Sequence, residues 1–155
     1  MAIGRVPRGA GRYAERTVRS LDRLVLVRPD ECRGDTPQTS GMRRLAAISG
    51  ATVGAEGIWM GRTHVPSGTA SGAHHHGRSE TAIFVLAGRP VFIYRDGVRE
   101  VRLESAPGDF VYVPPFVPHI ESNLESDEEA VVIIARTTQE AIVENLPSLE
   151  GEPTR

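Results

Sequence analysis

The residues best suited to chemistry in this 155-residue chain are its five histidines. Three are consecutive, His74, His75 and His76; His119 stands at the end of a later segment, and His64 lies in an earlier one. Successive side chains on a strand point to opposite faces, so His74 and His76 share a face and His75 turns away. Two imidazoles on one face can hold a metal ion from one side, and a third ligand must come from a neighbouring strand. His119 is the natural source. Three neutral imidazoles suit zinc, iron, nickel or copper, and an added carboxylate shifts the preference towards manganese or iron. The residues thus point to one divalent metal ion per chain.

Two glutamates compete for a place beside that ion. Glu121 is two residues beyond His119, on the same strand face, and can reach the same metal. Glu80 follows His76 by four residues. Whichever glutamate is not bound can orient a histidine or act as a general acid or base. Water alone is the third option for the fourth position.

The elements that must position these groups are short strands. From about residue 43 to 138, runs rich in Val, Ile, Phe and Tyr alternate with turn signals. The pattern predicts strands over 43–48, 57–65, 81–87, 90–95, 98–104, 109–113, 118–123 and 130–137. Asp96-Gly97 between two apolar runs is a strong hairpin signal. Many short strands and almost no helix argue for an all-β sandwich or barrel. No repeat of the whole unit is visible, so one barrel is expected, spanning 24–149 with its core at 43–138. Residues 1–23, with Gly4, Pro7, Gly9 and Gly11 among arginines, read as a flexible N-terminal arm with a short helical turn over 17–23. Leu24 to Val27 reads as a first strand, and 150–155 as a free tail. Ile142, Val143 and Leu146 are placed to pack back on the barrel. Trp59, Phe84, Tyr94, Phe110 and Tyr112 are expected to fill it.

Two motifs carry a family resemblance. The chain reads Gly68-x5-His74-x-His76-x3-Glu80-x7-Gly88, and later Gly108-x5-Pro114-x4-His119-x3-Asn123. Together, in this order, they resemble the two motifs of the cupin superfamily. The resemblance implies a double-stranded β-helix (a jelly-roll barrel), a metal in its open mouth and frequent homodimers. Leu24–Val27 is the segment expected to pair with a second subunit. The chain departs from the family pattern twice. Phe116 stands where the second motif has glycine; it would line or narrow the mouth and favour an apolar or aromatic ligand. Counting back from Gly88, the slot of the usual carboxylate holds Thr81, and Glu80 is one position early. A one-residue shift reverses the face of a strand. The local spacing, with His119-Ile120-Glu121, is instead similar to that of pirins and pirin-like quercetinases, in which the second motif supplies the fourth ligand as His-x-Glu. Phe84, Tyr112, Phe116 and His64 are the candidates to line a substrate pocket.

Composition narrows the function class. The net charge is −2 and no basic patch stands out, which argues against nucleic acid. All 18 cationic residues are arginine. The single cysteine, Cys32, precludes a disulfide within the chain and a multi-cysteine zinc site, and reads as an inert loop thiol. No run approaches the ~20 apolar residues of a membrane helix, and the arginine-rich start lacks the apolar core of a secretory signal. A cytoplasmic bacterial protein is expected. A metal with three or four protein ligands keeps open positions for a small oxygenated organic compound. The first expectation is therefore an enzyme of dioxygenase, decarboxylase or isomerase type, and the alternative is a non-catalytic, metal-dependent small-molecule-binding protein.

Overall fold

The computed structural model describes residues 23–150. Ten strands make two five-stranded antiparallel sheets. They are β1 (Arg43–Ile48), β2 (Trp59–Val65), β3 (His74–His75), β4 (Thr81–Ala87), β5 (Val91–Asp96), β6 (Arg99–Glu104), β7 (Phe110–Val113), β8 (His119–Ser122), β9 (Ala130–Arg136) and β10 (Glu144–Asn145). One sheet runs β1-β2-β9-β4-β7 and the other β10-β3-β8-β5-β6. This is the expected double-stranded β-helix. One four-residue helix, α1 (Gly50–Val53), and a 3₁₀ turn at Pro29–Glu31 complete the described elements. No helix among the described residues is long and apolar enough to cross a membrane.

Alternation sets the inside of the barrel. In β2 every odd residue, Trp59, Gly61, Thr63 and Val65, is buried, and β9 repeats this with Ala130, Val132, Ile134 and Arg136. Register places Trp59 opposite Arg136, Gly61 opposite Ile134 and Thr63 opposite Val132, so the inward faces of neighbours coincide. Trp59, Ile83, Val85, Phe92, Val113, Val132 and Ile134 form an apolar core, and Ala141 joins it from the C-terminal segment. That segment packs back as expected, because β10 pairs with β3 and the Leu146 amide donates to the Ala73 carbonyl at 2.8 Å.

The Asp96-Gly97 signal forms the β5–β6 hairpin, with Asp96 paired to Arg99. Gly97 has φ 60° and takes the first central position of the turn. Gly88 (φ 76°) ends β4, and a Cβ there would lie 2.6 Å from the Ala130 Cα, so this motif glycine is required by close approach to β9.

Several expectations need correction. Leu24–Val27 forms no strand: no partner strand lies beside it among the described residues, and Leu24 and Leu26 are exposed. Phe84 is not in the barrel; on β4 the inward residues are Thr81, Ile83 and Val85, and Phe84 meets Phe110 on the outer face at 4.9 Å between ring centroids. Phe110 and Tyr112 are exposed for the same reason, since Val111 and Val113 are opposite the inward Ile83 and Thr81. The helical turn expected over 17–23, the start of the N-terminal arm and nearly all of the tail lie outside the described residues.

Candidate metal centre

β3 and β8 lie side by side, and register puts His74 directly opposite His119. His76 follows on the same inward face. All three histidines are buried. Each ring is held by its Nδ1. In His74 this atom donates to the Gly72 carbonyl at 3.0 Å, and in His119 to the Val117 carbonyl at 3.0 Å. In His76 it meets the Thr81 hydroxyl at 2.8 Å. A ring whose Nδ1 carries the proton presents a lone pair at Nε2. The three Nε2 atoms are buried and have no hydrogen-bond partner. The ligand atoms of the three residues lie within 4.8 Å of one another. Ring centroids are 4.4 Å apart for His74–His119, 4.7 Å for His76–His119 and 5.3 Å for His74–His76.

Burial keeps these imidazoles neutral. It pushes His74 down to about 3, helped by His119 and by the positive charges of Arg44 and Arg136. His119 is pushed down to about 4, again chiefly by burial. His76 is lowered further still, by burial first and by Arg136 next. Neutral rings with converging, otherwise unsatisfied lone pairs are the donor set a divalent ion requires. The residues therefore fit a metal.

His75 turns the other way. It accepts the Gly77 amide at 3.0 Å, approaches Glu144 at 3.6 Å and sits against the edge of Phe116.

The two glutamates part company. Glu80 is exposed and accepts the Tyr112 hydroxyl at 2.8 Å. Thr81, one residue on, takes the inward position and touches His76, as the face reversal implies. Glu121 is fully buried on the inward face of β8, and neither carboxylate oxygen has a partner. Neither glutamate belongs to the three-residue cluster at 4.8 Å. Burial raises the Glu121 carboxyl, against the pull of Arg44 and Arg136.

Of the expected pocket residues, His64 and Phe84 face away from the imidazoles. His64 is on the outer face of β2, 3.1 Å from Glu129. Phe84 and Tyr112 are outward-facing, and Phe116 is exposed. Tyr112 does border an apolar cavity of about 280 Å³, lined also by Phe92, Leu103, Val113, Val117 and His119. Phe116 has φ 61°, the single non-glycine among the described residues in the left-handed region, and its amide donates to the Gly77 carbonyl at 2.8 Å. The backbone thus explains why glycine usually occupies this place.

Sequence reasoning missed Arg44 and Arg136. Both are buried on inward faces, of β1 and β9. Arg136 is in register with Thr81, the residue that touches His76. Their inward positions are not legible in the sequence, because neither RRLAAI nor AVVIIAR alternates polar and apolar residues.

Comparison with known proteins agrees with this architecture. Residues 61–135 match the cupin domain family. No curated protein is significantly similar to the chain in sequence. An oxalate oxidase in complex with the substrate analogue glycolate superposes with TM-score 0.62 at 18% identity, over 73% of this chain and 60% of that one. Oxalate decarboxylase of Lactobacillus farciminis, as its formate complex, gives 0.64 at 15% identity, over 76% of this chain and 34% of that one. The polyketide cyclase RemF of Streptomyces resistomycificus gives 0.63 at 17% identity, over 79% and 85%. At these identities the likeness is one of fold. This chain spans 60% of the length of the oxalate oxidase.

Proposed function

Since the chain has the cupin fold and its residues 61–135 match the cupin domain family, we propose that it is a metal-dependent enzyme acting on a small oxygenated organic compound. His74, His76 and His119 hold one divalent ion. The carrying observation is the set of three buried Nε2 atoms, close together and without partners, on rings locked through Nδ1. Such an ion supplies Lewis acidity and open positions for a chelating substrate; imidazole donors suit iron, nickel or zinc, and an added carboxylate shifts the preference towards manganese or iron.

Glu121 is the carboxylate that serves this site, in preference to Glu80. Its two oxygens are buried and free, two residues from His119 on one strand face, whereas Glu80 is engaged with Tyr112 on the surface. It completes the ligand set or moves a proton at the substrate. A buried carboxylate kept free for that task favours catalysis over simple capture of a ligand. The apolar cavity that His119 borders receives the body of the substrate.

Glu121→Gln and Glu80→Gln separate the two glutamates. Loss of metal or turnover in the Glu121 variant and none in the Glu80 variant is expected; the reverse overturns the assignment. A homodimer is also proposed, with a second copy covering the exposed Leu24, Val25 and Leu26. Light scattering that gives a monomer at micromolar concentration removes it.

A further inference from the structure

The inside of the barrel holds more positive charge than its own residues balance. Arg44 and Arg136 are 0% and 2% exposed. Each guanidinium is held in place by part of its donor set. Arg136 donates from Nη1 to the Ile142 carbonyl at 2.8 Å and lies over the Trp59 ring at 5.5 Å. Arg44 donates from Nη1 to the Pro37 carbonyl at 2.6 Å and points Nη2 at the Met42 sulfur. What remains is open. Arg136 has Nε and Nη2 buried without partners, and Arg44 has Nε.

Nε and Nη2 form one edge of a guanidinium, the edge that grips the two oxygens of a carboxylate side by side. A buried charge left without a partner is strongly disfavoured. Glu121 does not satisfy either arginine: its oxygens also have no partner. Even an ionised Glu121 leaves two cations against one anion, and a divalent metal widens the imbalance. Arg136 lies near the imidazoles: it is the cross-strand neighbour of Thr81, Thr81 touches His76, and the arginine's charge helps to lower His76.

We propose that Arg136, assisted by Arg44, binds a carboxylate group of the substrate, so that the protein acts on small organic acids rather than on neutral sugars or phenols. The substrate class rests on the metal-enzyme reading above, but the anion site itself stands without the metal. The unpartnered edge of a fixed, buried guanidinium carries it. Burial lowers both arginines, Arg136 to about 9, so Arg136 stays cationic at neutral pH.

The test uses acetate and its uncharged analogue of the same shape, acetamide, titrated calorimetrically into the protein as purified and after removal of metal with a chelator. Folding of the chelated protein is followed by the fluorescence of Trp59. The metal-free protein is expected to prefer acetate by about tenfold or more, the effect of a charge-assisted hydrogen-bonded pair. Arg136→Lys, which keeps the charge and loses the fork, is expected to weaken acetate binding by about tenfold, with metal content unchanged. Arg44→Lys, a second variant, is expected to weaken it less. Equal binding of acetate and acetamide, or binding of neither, overturns the proposal. So does a preference for acetate that appears only with metal present, since the ion then holds the carboxylate. A protein that prefers acetate but never carries metal overturns the metal reading and leaves the anion site standing.

Discussion

Acid should unfold the metal-free protein early, and the three imidazoles set the scale. Burial lowers His74 to about 3 and His119 to about 4, and lowers His76 as well. In the unfolded chain each histidine takes its proton near 6.5. A group depressed in the folded state contributes stability that is intact above about 6.5 and is lost as the pH falls towards the folded value. Each such group lowers stability by about 1.4 kcal/mol per pH unit inside that window. Three together give about 4 kcal/mol per unit. Glu121 acts in the opposite sense: its raised pKa contributes stability below its ordinary value of 4.5 that is lost as the pH rises through the folded one. Over its own window it cancels one histidine and leaves a slope of about 3 kcal/mol per unit. Domains of this size have about 5–15 kcal/mol to lose. At about 3–4 kcal/mol per unit, a chelated protein with about 5 kcal/mol to lose is expected to unfold at about pH 5, and a more stable one at lower pH with the same slope. Urea titrations across a pH series, read through the buried Trp59, the chain's one tryptophan, measure this directly. His119→Leu should reduce the slope by about one histidine's share. A urea midpoint that stays flat from about pH 7 to about pH 5 refutes the claim that these rings are buried and neutral.

Two further outcomes follow from single contacts. Thr81→Val removes the hydroxyl that fixes His76 at 2.8 Å; metal affinity is expected to fall by about 10–100-fold with little change in the unfolding midpoint, and unchanged affinity in a chelator competition contradicts this role. Phe116 has φ 61°, so Phe116→Gly should be more stable than Phe116→Ala by about 1 kcal/mol in urea unfolding, because both lose the ring but only glycine sheds the backbone cost; an alanine variant of equal stability removes the strain argument.

Most of the strands were legible because runs rich in Val, Ile, Phe and Tyr are separated by turn signals such as Gly88-Arg89-Pro90, Asp96-Gly97 and Pro107-Gly108. The predicted 43–48 and 81–87 coincide with Arg43–Ile48 and Thr81–Ala87. Period-two reasoning also separated His75 from its neighbours and turned Glu80 outwards, since both conclusions depend on face alone. It failed for Phe84, Phe110 and Tyr112, where aromatic character was weighed above the parity set by Ile83 and Val111. Leu24–Val27 looked like a strand by composition, but a strand also needs a partner edge, which local sequence does not encode. Arg44 and Arg136 were passed over because arginine is ordinarily a surface residue; only register shows that they share the interior with the histidines.

The most direct test of the account is elemental analysis of the purified protein beside His119→Ala and His76→Ala. His119 and His76 each supply one of three otherwise unsatisfied Nε2 atoms. The wild type is expected to carry one divalent ion per chain and each variant to lose it while remaining folded by circular dichroism. A wild type without metal after growth and purification in supplemented medium, or variants that retain as much metal as the wild type, contradicts the metal centre.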